Sequence, residues 1–218
     1  MAPSVDAGYD PRTVMTVPTV EDIMVAPPGP GTMVNPVDYF PTPGAVEMEI
    51  GCGKGGFILE RARCCADRRF LGIEWAGKYC RYAADRMARR GMANVRIMRT
   101  DARNFVVHHL AESSLAALHV YHPDPWPKKR HHKRRLFQKD FVAAAVRALQ
   151  AGARLAIQTD HAGYFDWIRD LTAPCTELTQ VDFEQSNVAH PGQTPRGNYE
   201  VKYVREGRNL YRVAYLKT

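Results

Sequence analysis

The chain lacks any apolar run near the roughly 18 to 20 residues that a bilayer-spanning helix needs, so no helical membrane span is expected. Met1 to Asp10 contains neither Lys nor Arg and no apolar core segment, so no secretory signal is expected there. Material for a disulfide framework is also missing. The five cysteines, at 52, 64, 65, 80 and 175, are odd in number and none forms a C-x-x-C pair. In a chain of 218 residues that points to reduced thiols in a cytoplasmic protein. His119, His122, His131 and His132 cluster without the spacing of a zinc set, so no metal is expected. Positive charge is scarce in one place only. Residues 1–44 carry Arg12 against Asp6, Asp10, Glu21, Asp22 and Asp38, a net of −4, and they hold nine of the fifteen prolines. With no sustained period, this segment reads as an extended or poorly ordered arm.

What is present lies beyond the arm. The composition, 45% apolar and 24% charged, supplies the core and surface of one globular domain over 45–218. The whole chain is +7, so that domain carries +11. Six of those charges fall in Lys128 to Arg135, within the segment Y-H-P-D-P-W-P-K-K-R-H-H-K-R-R-L that runs from Tyr121 to Leu136. Three prolines and six cations in sixteen residues cannot enter a core. Such a localised field attracts polyanions, although a solvated loop is the commoner fate of a charge run.

From Ala45 onward, apolar runs alternate with helical periods. Strands are expected at Val46–Ile50, Arg69–Ile73, Val95–Met98, Leu115–Tyr121, Arg154–Gln158, Glu177–Phe183 and Asn209–Leu216. Helices are expected at Gly55 to Cys65, Gly77 to Arg90, near Arg103, Leu136 to Leu149, Tyr164 to Leu171 and, shorter, Asn198 to Glu206. This order implies a mostly parallel seven-stranded sheet with helices on both faces, an α/β Rossmann-like fold. Ligands then bind outside the carboxyl ends of the strands, and the distinctive polar residues fall there: Gly51 to Gly56, Glu74, Asp101, Asp124 and Asp160.

Glu49-Ile-Gly51-Cys-Gly53-Lys-Gly55-Gly56 satisfies two patterns, the dinucleotide G-x-G-x-x-G and the E-x-G-x-G-x-G loop that holds S-adenosylmethionine. The acids favour the second. A carboxylate at Glu49 would repel a pyrophosphate but suits a cationic sulfonium ligand and its ammonium group. Glu74 could accept from ribose hydroxyls, and Asp101 from an adenine amino group. The plainer alternatives are that Glu49 pairs with Lys54 and that Asp101 caps a helix. Further on, Asp124 stands between Pro123 and Pro125, which stiffen the loop that presents it. Trp126 offers a face for base stacking or else anchors that loop.

The residues V-Y-H-P-D-P-W-P-K-K-R-H-H-K-R-R-L, with E-I-G-C-G-K-G-G-F upstream and N-Y-E-V-K downstream, resemble the tRNA (guanine-N7)-methyltransferase family over about residues 45 to 218. The resemblance implies a class I, S-adenosyl-L-methionine-dependent methyltransferase acting on a guanine in the variable loop of tRNA. It implies cofactor positions at Glu49, Gly51, Gly53, Glu74, Asp101 and Asp124, with Asp124 also the catalytic aspartate. Substrate positions are implied at Lys128, Asp160 and Gly197, Asn198, Tyr199, Glu200. An RNA-contacting track is implied at Arg130, His131, His132, Lys133, Arg134 and Arg135. Three departures stand out: Gly197 where the family usually has Thr (with Thr194 nearby), His122 where it usually has Phe, and an acidic arm instead of a basic one. The partner expected is tRNA, with the chain a monomer or homodimer and no obligatory protein partner. The competing readings are an exocyclic-amine methyltransferase, a nicotinamide-dependent dehydrogenase, and a non-catalytic RNA-binding protein on the same scaffold.

Overall fold

A computed structural model describes residues 17–184 and 204–218. Its centre is an eight-stranded sheet, β1 (Met24–Val25), β2 (Val46–Ile50), β3 (Arg69–Glu74), β4 (Val95–Arg99), β5 (Leu115–Tyr121), β6 (Leu149–Thr159), β7 (Leu178–Val181) and β8 (Tyr211–Lys217). The spatial order is β1-β4-β3-β2-β5-β6-β8-β7. Pairing is parallel from β1 through β6, while β8 runs antiparallel between β6 and β7. The order reverses between β2 and β5, which opens a crevice at their carboxyl ends.

The helices are α1 (Val20–Ile23), α2 (Gly56–Cys64), α3 (Gly77–Ala88), α4 (Ala102–His108), α5 (Lys139–Ala148) and α6 (Ala162–Thr172). Strand alternation sends Phe70, Val95 and Ile97 to a core shared with α1, α2 and α3, through Ile23, Ile58, Leu59, Ala83 and Met87. Leu71, Ile73 and Met98 point the other way, to a core shared with Phe105 of α4, Phe141 of α5 and Ile168 of α6. The sheet is therefore covered on both faces. In α5, Asp140 in the first turn complements the helix dipole, as does Arg147 in the last, and Asp140 also accepts from Arg103 of α4 at 2.6 Å.

Three expectations needed correction. The sheet has eight strands, not seven, because β1 comes from the segment read as an extended or poorly ordered arm. Within 17–44 the chain is packed: Ile23 is fully buried and Phe40 nearly so. Side chains from the sheet and from the end of α4 satisfy its carbonyls. Arg69 donates to Thr42 O and Pro43 O, Arg96 to Tyr39 O, and the His109 ring bonds Thr32 O. The helix expected from Leu136 begins only at Lys139, because Phe137 is buried in extended chain, its N–H donating to the Tyr164 hydroxyl and its carbonyl accepting from Trp167. The following strand starts at Leu149 instead of Arg154, and a register shift against β5 absorbs the residues around Gly152. The short helix expected over Asn198 to Glu206 lies largely outside the described residues.

Candidate active site

The floor of the crevice is the loop from Gly51 to Gly55. The Gly51 and Cys52 amides both donate to Ile73 O at the end of β3. Two glycines make the close packing there. A side chain at Gly72 would meet Cys52 Sγ at 2.9 Å, and one at Gly55 would meet Met87 of α3 at 2.7 Å, while Gly55 also has φ 69°. Glu74 fastens the loop to the next strand: its two carboxylate oxygens accept from the Gly53 amide at 3.0 Å and the Ala76 amide at 2.8 Å. Each oxygen keeps a further lone pair for a ligand.

Glu49 is the unusual group. It is 6% exposed, and its Oε2 has no hydrogen-bond partner among the described residues. Burial pushes its carboxyl up to about 8; the Ile58 amide, which bonds it, works against this, and the charge of Glu74 adds to it. It is not paired with Lys54, whose ammonium lies 5.7 Å from the Tyr82 ring centroid. A buried carboxylate with an oxygen left over is costly unless a donor or cation completes it. Asp101 is exposed after β4 and does cap α4, its Oδ1 accepting from the Asn104 amide at 2.7 Å.

Across the crevice, β5 runs into the Pro123–Pro127 loop. Asp124 is exposed at its tip. The loop has no cis peptide, but both His122 (φ 52°) and Trp126 (φ 42°) occupy the left-handed region. Non-glycine residues held there cost on the order of 1–3 kcal/mol each, so neighbouring contacts must enforce the shape. The His122 amide donates to Gln158 O at 2.7 Å, and its ring meets the Gln158 amide nitrogen at 2.9 Å. On the other side, Arg135 Nε donates to Pro125 O at 2.8 Å.

Arg135 corrects the expected RNA track. It is 3% exposed, with its guanidinium against the rings of Tyr164 and Trp167, so it does not face solvent and cannot meet a phosphate in this conformation. The preceding 3₁₀ turn, Lys129–Arg134, keeps Arg130, Lys133 and Arg134 exposed, as is Lys128 ahead of it. His131 and His132 are half-buried, edge-on to Trp126 and Trp167. Arg134 lies over the Trp126 ring at 5.1 Å, so one face of that ring is already covered. Asp160, after β6, is paired with Arg208 at 2.9 Å and stands 3.9 Å from His122. Burial lowers the His122 imidazole pKa, and the Asp160 charge opposes this. Gly197, Asn198, Tyr199 and Glu200, with Thr194, lie outside the described residues. The structure thus gathers Glu49, Gly51, Gly53, Glu74, Asp101, Asp124 and Asp160 at the carboxyl ends of five neighbouring parallel strands.

Sequence reasoning missed Glu47. It is 1% exposed and accepts from Arg61, Arg68 and His119 at 2.9, 2.6 and 2.9 Å, binding α2 and β5 beneath the loop. The usable signal was the spacing Glu47-x-Glu49, two acids on one face of a buried strand.

A family model described as "Putative methyltransferase" matches residues 44–213. A tRNA (guanine-N(7)-)-methyltransferase of Syntrophotalea carbinolica is 38% identical over 188 residues, covering 83% of this chain and 78% of that one. The chain belongs to the tRNA (guanine-N7)-methyltransferase family. Another member, from Geobacter metallireducens, is 32% identical over 199 residues, 87% of this chain and 91% of its own. Solved structures agree on the fold. The 30S ribosomal A1408 methyltransferase from an uncultured bacterium matches with a TM-score of 0.53 at 12% identity, over 84% of this chain and 91% of that one. The geranyl diphosphate C-methyltransferase of Streptomyces coelicolor, solved with S-adenosyl-L-homocysteine, matches with a TM-score of 0.51 at 15% identity, over 83% and 74%. The expected class I methyltransferase fold is therefore present.

Proposed function

We propose that this family member transfers a methyl group from S-adenosyl-L-methionine to N7 of a guanine in the variable loop of tRNA. The observation that carries the reading is the Glu49 carboxylate, buried over the glycine loop with one oxygen unpartnered among the described residues. A cationic amino-acid ligand completes that oxygen and favours its ionised form; a pyrophosphate would add negative charge beside a carboxyl that burial and Glu74 already push up. This argues against the dehydrogenase alternative. Glu49 would hold the ligand's ammonium end, Glu74 its ribose hydroxyls and Asp101 its adenine.

S-adenosyl-L-methionine, when bound, supplies an electrophilic methyl group on a sulfonium. Guanine N7 carries a free lone pair in the neutral base, so no residue need remove a proton before the N–C bond forms. Orientation and electrostatics should then dominate. Asp124 accepts from the donor edge of guanine and stabilises the positive charge that the purine gains. The left-handed residues on either side of it, with Gln158 and Arg135 bracing them, keep the carboxylate in one place. Lys128, Arg130, Lys133 and Arg134 grip phosphates while the base is extruded.

Incubation of the protein with labelled S-adenosyl-L-methionine and unmodified tRNA, followed by nuclease digestion, should yield 7-methylguanosine mapped to the variable loop. A labelled exocyclic amine instead would favour the amino-methyltransferase reading. Asp124→Ala should lower kcat on the order of a hundredfold, the usual weight of one fixed electrostatic group, with the affinity for tRNA little changed. Near-normal turnover by that variant would remove Asp124 from the mechanism.

A further inference from the structure

The outward face of α3 takes no part in the site described so far. Trp75, just ahead of the helix, is 70% exposed, and Tyr79 and Tyr82 are 37% and 49% exposed. The spacing of three places the Tyr79 and Tyr82 rings on one side of the helix. Lys78, Arg81, Arg89 and Arg90 are exposed among and beyond them, and Arg86 is half-exposed. Lys54 of the glycine loop reaches over the Tyr82 ring. Lys54, Tyr82, Arg86, Arg89 and Arg90 line an open groove of about 770 Å³, with no carboxylate among the described residues of its walls. Asp85, the acid of this helix, is already bound by Arg89.

A merely solvated helix face would not expose three aromatic rings; Trp, Tyr and Arg also occur at protein-docking faces, but Lys54 and Lys78 do not suit one. Rings interleaved with guanidinium and ammonium groups suit a nucleic-acid strand, whose bases stack and whose phosphates need counter-charge. The position agrees. α3 follows β3, and Lys54 follows β2, whereas the Pro123–Pro127 loop and the basic 3₁₀ turn follow β5 on the far side of the switch point. An RNA lying across the crevice would meet Lys54 and Lys78 near this rim, with Arg86, Arg89 and Arg90 further along α3.

We propose that the α3 face, with Trp75 and Lys54, is a second RNA-contacting surface that holds the tRNA on the cofactor side of the crevice, an inference that rests on reading the chain as a tRNA methyltransferase. The test uses the full chain in two variants, Arg89→Ala/Arg90→Ala and Tyr82→Ala. Binding of unmodified tRNA is measured over a range of salt, beside S-adenosyl-L-methionine binding and Tm as controls. The double variant should bind about tenfold more weakly at low salt, and its salt slope should fall by about 1, for the phosphate that Arg90 no longer neutralises, because Arg89 is paired with Asp85. Tyr82→Ala should weaken binding about fivefold or more. A photo-crosslinking amino acid in place of Tyr82 should capture tRNA. Unchanged affinity and slope in both variants, with no crosslink, would overturn the proposal, and would do so equally if the face docks a protein. Absence of 7-methylguanosine from wild-type digests would count against the proposed reaction alone, because the binding measurements need no turnover.

Discussion

Glu47 and Glu49 share a strand, a face and a side-chain type, yet their surroundings drive them in opposite directions. Burial alone would raise the carboxyl pKa of Glu47, but the bonds and charges of His119 and Arg61 outweigh it and hold the group well below the usual carboxylate range. The His119 imidazole pKa is itself lowered by its burial, and its bond to Glu47 opposes this. The stability Glu47 contributes is therefore present above its ordinary value near 4.5 and lost as pH falls below it. Glu47→Ala should cost about 3–5 kcal/mol in urea unfolding at pH 7, because it removes the buried carboxylate that Arg61, Arg68 and His119 share. Glu49 has the reverse sign. Its contribution is full below about 4.5 and is lost as pH rises through about 8. Glu49→Gln should leave Tm unchanged or raise it at pH 8 to 9, while weakening S-adenosyl-L-methionine binding at least about tenfold, as expected when a charged partner is removed. In the wild type, affinity for that ligand should climb from pH 6 and level off near 8. A flat profile in isothermal titration between pH 6 and 9 would contradict this.

Among the elements, the segment from Pro123 to Arg135 was the most legible and also the most misleading. Its surface position, its rigidity and its placement at the end of β5 all followed from proline content and the preceding apolar run. What composition could not separate was Arg134 from Arg135. The two are adjacent and alike, but the turn ending at Arg134 leaves one side chain over Trp126 and sends the other inward to Pro125 O. Their substitutions should therefore separate. Arg134→Ala should weaken tRNA binding and reduce its salt slope by about 1. Arg135→Lys should leave that slope unchanged and lower kcat about tenfold, because a lysine cannot reproduce the planar contact between two rings while donating to the loop. Stopped-flow or filter binding across salt, with kcat from the same preparations, checks both. Helix starts were legible only where local signals agreed. At Leu136 the apolar period continued into the helix, but the buried backbone of Phe137 was already engaged by α6.

At the scale of the molecule, the alternation of strands and helices determined the sheet type, and each polar position after a strand fell on the same rim. Glycine spacing left the ligand open, and the neighbouring carboxylate narrowed it. The segment 17–44 was illegible for a definite reason. Its prolines remove the donors from which a pattern would be read, and the groups that hold it, Arg69, Arg96 and His109, lie far along the chain. Charge was read as one basic track; in three dimensions a second collection of cations lines an open groove along α3.

β1 has a consequence for the molecule's behaviour in concentrated solution. It lies at the rim of the sheet beside β4, is only two residues long, and is followed by Pro27 and Pro28. Without it, β4 would offer a row of unpaired amides and carbonyls to any passing chain. With it, the rim is a strand of two residues, and Pro27 and Pro28 just beyond it have no amide hydrogen with which to lengthen the ladder. The opposite rim, β7, turns Thr179 and Gln180 to solvent. A polypeptide with a strongly apolar centre is thus guarded at one margin by proline and at the other by polar side chains, which resists the edge-to-edge stacking that precedes fibres.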